Sequence, residues 1–167
     1  MSKLKLLLPL LTVVFMTACG IYKFNDTSIA PDVHTISVYT IENKAMKVNP
    51  MLSNTLTVAL QDKYRKLTKL EMLEDGGDLE VSGDITSYEV TPTAVTSEEV
   101  AAQNRLTITV KITFKNNKHP EEDFDTSFAA FQDFDSTISL DAVEAQLVDE
   151  IVEILVEDIF NRTVANW

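Results

Sequence analysis

Cys19 is the only cysteine among 167 residues, and it stands directly behind Met16-Thr17-Ala18. Its thiol is a nucleophile that can accept a diacylglycerol, after which peptide cleavage would leave the cysteine as a new N-terminus. The residues ahead of it suit that chemistry. Lys3 and Lys5 give a positive start, Leu6 to Ala18 is a predominantly apolar run, and small residues lie at the cut. Together they read as an export signal over residues 1–18. An apolar helix of that length rises only about 20 Å, short of a hydrocarbon core of about 30 Å, so it is not a spanning anchor. The cysteine at the cut resembles a bacterial lipobox, with Met16 at the position where Leu is commoner.

Other side chains offer less. Lys63, Arg65, Lys66 and Lys69 form the one basic cluster, and Arg105 is a fifth cation that could join them. Such a group could hold a phosphate or an acidic headgroup, or could simply complement the negative end of a helix. His34 and His119 stand alone, without the spacing of a zinc site. Glu121-Glu122-Asp123-Phe124-Asp125 has carboxylates but neither the alternating ligands nor the central glycine of a calcium loop. It reads as a solvated turn. Asp133 and Asp135 read as turn and cap residues. No nucleophile elbow, P-loop or dinucleotide-binding glycine pattern occurs, and the chain has four glycines from which to build one. These features predict no enzyme, no metal and no cofactor.

Charge narrows the partners. The chain carries a formal net charge of −12, and removing 18 residues with two lysines and no acids leaves 149 residues at −14. That excludes broad contact with nucleic acid, where Lys and Arg must neutralise phosphates. It also excludes electrostatic docking on an anionic bilayer, so acyl chains would have to supply the anchor, stably only if there are two or more. One domain of this size buries enough surface to fold without disulfides.

The elements that must position these residues follow from periodicity. Residues 19–32 form a lipidated leader whose Ile21, Tyr22, Phe24 and Ile29 are too apolar for a loose tether. Residues 33–167 form a single domain. Thr35 to Ile41 reads as a strand. Asn49-Pro50 opens a helix with Leu52, Leu56, Ala59, Leu60 and Leu67 at helical spacing. Leu70 to Leu73 suggests a short strand before the turn Asp75-Gly76-Gly77-Asp78. Leu79 to Val90 alternates with Leu79, Val81 and Ile85 inward, then switches phase near Gly83 to Ser87 to put Tyr88 and Val90 inward, as a bulge or bend would cause. Pro92 to Asn104 reads as a loop. Leu106, Ile108, Val110, Ile112 and Phe114 alternate with polar residues in the clearest strand. A turn at 116–120 leads to a strand from Asp123 to about Gln132, with Phe124 and Phe128 on its core side and Phe131 and Phe134 unassigned. Ser139 caps a final helix striped by Val143, Leu147, Ile151, Ile154, Leu155 and Ile159, and widened by Val148, Val152 and Val156. That width implies burial on more than one side or a partner surface. The expected fold is α+β, order β-α-β-β-β-α, with two helices on one face of a mostly antiparallel four-stranded sheet.

Several segments form one series: Gly20-Ile21-Tyr22-Lys23-Phe24, Asn49-Pro50, Asn104-Arg105-Leu106-Thr107, Asp133-Phe134-Asp135-Ser136, and the ending from Glu157 to Asn166-Trp167. Together they resemble the lipopolysaccharide-assembly lipoprotein family, LptE, in its Bacteroidota form. The resemblance implies a non-enzymatic lipoprotein on the periplasmic face of the outer membrane, with diacylglycerol and an N-acyl chain (commonly palmitate) on Cys19. It would plug and help assemble the LptD β-barrel and assist lipopolysaccharide delivery to the surface. Its partners would be the barrel, lipopolysaccharide and outer-membrane lipid. With a charge of −14, any lipopolysaccharide contact must be local, with Lys63, Arg65, Lys66, Lys69 and Arg105 as the candidates. A periplasmic scaffolding or binding lipoprotein for another envelope partner is the alternative; a hydrolase built on a carboxylate pair has no apolar pocket signature to support it.

Overall fold

The computed structural model describes residues 29–47, 49–93 and 103–164. The signal, Cys19 and the leader through Phe24 lie outside these residues, as does Trp167. The elements run β1 (Thr35–Val38), β2 (Glu42–Asn43), α1 (Leu52–Leu67), β3 (Glu71–Leu73), β4 (Leu79–Thr93), β5 (Gln103–Asn116), a short 3-10 turn (Pro120–Glu122), β6 (Phe124–Asp135) and α2 (Leu140–Val164).

The fold is α+β with both helices against one sheet face, as the pattern predicts. The sheet has six strands, however, not four. Its order is β3-β1-β4-β5-β6, with β2 paired to β4 beyond the end of β1. One of the two additional strands, β3, is the short strand suggested at Leu70 to Leu73; the other, β2, has two residues, too few for alternation to register in the sequence. The long pairings, β4 with β5 and β5 with β6, are antiparallel, whereas β1–β3, β1–β4 and β2–β4 are parallel. Helix α1 supplies the crossover that the parallel pairs require.

Local chemistry explains the boundaries. The Asn49 Oδ1 accepts the backbone N–H groups of Met51 and Leu52 at 2.9 and 3.2 Å, so Asn49 caps α1 as its sequence predicts. Leu52, Leu56, Leu60 and Tyr64 are fully buried along one side of α1. Leu67, expected in that stripe, is 52% exposed; the buried stripe ends at Tyr64, one turn earlier. The predicted bulge is present, with the β4–β5 register shifting between Ile85 and Ser87. Gly83 is required beside it, because a Cβ there would lie 2.2 Å from the Lys111 carbonyl oxygen. The turn before β4 uses Gly76 at φ +70°, a left-handed conformation that costs glycine little.

Two expectations are corrected on the long hairpin. Pro92 and Thr93 are still in β4, paired with Asn104 and Gln103, so the loop is shorter than predicted. Proline is tolerated there because, among the described residues, this stretch of β4 has no partner on its other side. Val90 is exposed, although predicted to face inward.

Strand β5 buries Leu106, Ile108, Val110, Ile112 and Phe114, and its alternate residues face outward. Parity then settles β6. Phe124, Phe128 and Phe134 share the inner face, with Phe134 buried, while Phe131 points the other way and is 48% exposed. Helix α2 buries Leu147, Val148, Ile151, Val152, Leu155, Val156, Ile159 and Phe160 against α1 and the sheet. Its wide apolar stripe is therefore used within the fold. Ile154 sits at the margin of that stripe and is exposed.

Candidate interaction surface

The basic cluster occupies the last two turns of α1 and the residues just after it, but its members differ in availability. Lys63 pairs with Glu157 of α2 and lies 5.7 Å from the centre of the Phe160 ring. That ion pair holds the Glu157 carboxyl below its ordinary pKa. Arg65 pairs with Asp62 at 3.1 Å. Lys66 and Lys69 are exposed and make no ion pair among the described residues. The surface available to an external anion is therefore Lys66 and Lys69, with Arg65 at its side; Lys63 ties the two helices together.

Arg105 does not join this group. It sits opposite Thr91 on β4, whereas the basic end of α1 is followed by β3, which lies beside β1 near the start of β4. The twelve steps from Leu79 to Thr91 span about 40 Å of strand. Its guanidinium makes two bonds to Asp133, at 2.7 and 2.9 Å, and lies 3.7 Å from the centre of the Phe131 ring. Asp133 is held below the ordinary carboxylate range by that contact.

The remaining candidate side chains serve turns. His119 Nε2 is 3.1 Å from Asp32, and this bond raises the imidazole pKa. The Asp123 carboxylate accepts the Asn116 backbone N–H at 2.7 Å, and that of Glu122 accepts the Asn116 side-chain amide at 2.8 Å. Asp135 accepts the Thr137 N–H and hydroxyl at 2.8 and 2.6 Å just before α2. Among the described residues, no group of three His, Cys, Asp or Glu residues could hold a metal.

Sequence reading missed three polar groups that fix the fold. Asp78 accepts the backbone N–H groups of His34 and Thr35, at 2.9 and 3.1 Å, joining the β4 turn to β1. The Tyr88 hydroxyl bonds Glu144 of α2; burial and this carboxylate push its pKa up. Tyr64 bonds Thr163. Only Tyr64 carried a usable signal, its four-residue spacing from Leu60. At the leader end, Ile29 and Ala30 line a cavity of about 50 Å³ with Val33, Phe114 and Val164. That is far below the several hundred Å³ of a usual small-molecule site.

Comparison with known proteins decides the family. The model of a lipopolysaccharide-assembly family, LptE, matches residues 33–163. The chain belongs to the LptE family. LptE membership makes it a non-enzymatic lipopolysaccharide-assembly lipoprotein of the cell envelope. Among curated protein sequences, none matches the chain. A hypothetical protein from Chlamydia trachomatis is similar in structure, with TM-score 0.52 and 8% identity, over 80% of this LptE-family chain and 99% of its own. A minor lipoprotein from Acinetobacter baumannii aligns with TM-score 0.46 and 12% identity, over 78% and 90% of the two chains. Rare lipoprotein B from Shewanella oneidensis aligns with TM-score 0.44 and 8% identity, over 75% and 89%. Among the described residues, no helix of this LptE-family chain is long and apolar enough to cross a membrane.

Proposed function

We propose that this LptE-family chain is anchored through acyl chains on Cys19 in the periplasmic leaflet of the outer membrane. There it plugs an LptD-like β-barrel, helps that barrel assemble and assists delivery of lipopolysaccharide to the surface. The observation that carries this reading is the family match across residues 33–163, which spans all six strands and nearly all of both helices.

The physical features agree with a tethered accessory protein. A lipid anchor keeps an acidic domain at a membrane that its charge would not seek. Exposed Lys66 and Lys69, with Arg65 beside them, give lipopolysaccharide phosphates a local cationic contact on an otherwise acidic surface. Arg105, neutralised by Asp133, contributes little to it.

Affinity purification of the intact lipoprotein after mild detergent extraction tests the proposal, with co-purifying protein and lipid both identified. A barrel of several hundred residues is the expected partner, with lipopolysaccharide. Recovery of a different envelope protein in place of a barrel would overturn the assignment.

A further inference from the structure

We propose that the outer edge of β6 is a docking site for an extended strand of a partner protein, uncharged through its middle and cationic at both ends. β6 is the last strand of the sheet, and no described segment pairs along its other side. Its twelve residues leave a long row of backbone donors and acceptors open to pairing.

The sheet's other exposed edges are blunted. β3 has only three residues. The unpaired stretch of β4 carries the bulge after Ile85 and then Pro92, and both features resist strand addition. β6 has neither. From Thr126 to Gln132 it contains no charge, proline or glycine, and Phe131 is exposed midway along. A segment of this kind pairs readily with an added strand.

Charge selects the occupant. The uncharged stretch is bracketed by Asp123 and Asp125 at one end and Asp133 and Asp135 at the other. Of these, Asp133 is neutralised by Arg105, while the other three make no ion pair among the described residues. A second copy of the chain fits poorly. Antiparallel self-pairing centred on Ala129 sets Asp123 against Asp135, and like charges directly opposite are destabilising. A strand with lysine or arginine at its ends meets the same acids favourably.

The test uses the full-length lipoprotein in detergent micelles and three synthetic peptides of about eleven residues, long enough to lie along β6. One has a Thr/Val middle and lysine ends, the second has a proline in the middle, and the third has glutamate ends. The lysine-ended peptide is expected to bind and to slow hydrogen exchange at alternate amides between Thr126 and Gln132. The proline and glutamate peptides should bind at least about tenfold more weakly, as should the lysine-ended peptide to an Ala129→Lys variant. Failure of the lysine-ended peptide to bind, equal binding of the proline peptide, or protection confined to other strands would each overturn the proposal. If Ala129→Lys does not fold, the three peptides on the natural chain still decide it.

Discussion

The hydroxyls of Tyr64 and Thr163 meet at 2.6 Å, joining the last turns of the two helices. Tyr64 is completely buried, and its ring lies 5.3 Å from that of Phe160. The Thr163 hydroxyl is also 3.0 Å from the Ile159 and Phe160 carbonyls. It can therefore donate to a carbonyl while accepting from Tyr64. This asymmetry predicts the order of two substitutions. Tyr64→Phe leaves Thr163 satisfied and should cost about 1 kcal/mol, whereas Thr163→Val strands a buried phenol and should cost more, about 2 kcal/mol. Tyr64→Ala, which also opens a cavity, should cost about 3–5 kcal/mol. Urea denaturation of the three variants checks the ranking.

Asp78 predicts an acid limb in the stability profile. The backbone N–H groups of His34 and Thr35, the Thr35 hydroxyl and Lys118 lower its pKa to about 2, against an opposing contribution from burial. A carboxylate whose pKa is depressed on folding stabilises above its unfolded value near 3.8 and loses that contribution as pH falls through about 2. Asp78→Asn should destabilise the protein at neutral pH and flatten its stability change between pH about 4 and 2. Thermal unfolding across that range measures both effects.

The strands were legible where side-chain chemistry alternated over many residues. β5 shows this from Leu106 to Phe114, and the phase slip after Ile85 revealed the bulge. Asn49 announced the α1 start because a capping oxygen and a following proline have specific positional value. β3 was legible as the short strand at Leu70 to Leu73, whereas β2 was hidden because its pairing rests on backbone bonds supplied by β4. Strand parity would have separated Phe131 from Phe124, Phe128 and Phe134. The cationic surface was only half legible. Neighbours in sequence identify Lys63 to Lys69 as a cluster, but only the tertiary fold assigns Lys63 to Glu157 and removes Arg105 to the far end of the sheet.

The two classes of cation predict separable phenotypes. Reversing Arg65, Lys66 and Lys69 to Glu should weaken lipopolysaccharide binding several-fold with little change in melting temperature, because exposed charges contribute little to stability. Lys63→Glu should instead lower the melting temperature, since it sets a second acid against Glu157. Binding to immobilised lipopolysaccharide, measured beside thermal unfolding, distinguishes the two. Unchanged binding in the triple variant would remove this surface from lipopolysaccharide recognition.

Cys19→Ser separates address from fold. Among the described residues, the domain core lies between Val33 and Val164. Folding should therefore survive loss of the thiol, while the lipid and the membrane attachment should both disappear. Ile29 and Ala30, the first described residues, pack on that core. Membrane fractionation should recover the variant in the soluble periplasmic fraction, with a circular dichroism spectrum matching that of the anchored protein. A variant that remained in the membrane would show that something other than acyl chains holds it there. Equal recovery of barrel by the soluble variant would show that the tether adds neither contact nor local concentration to that association.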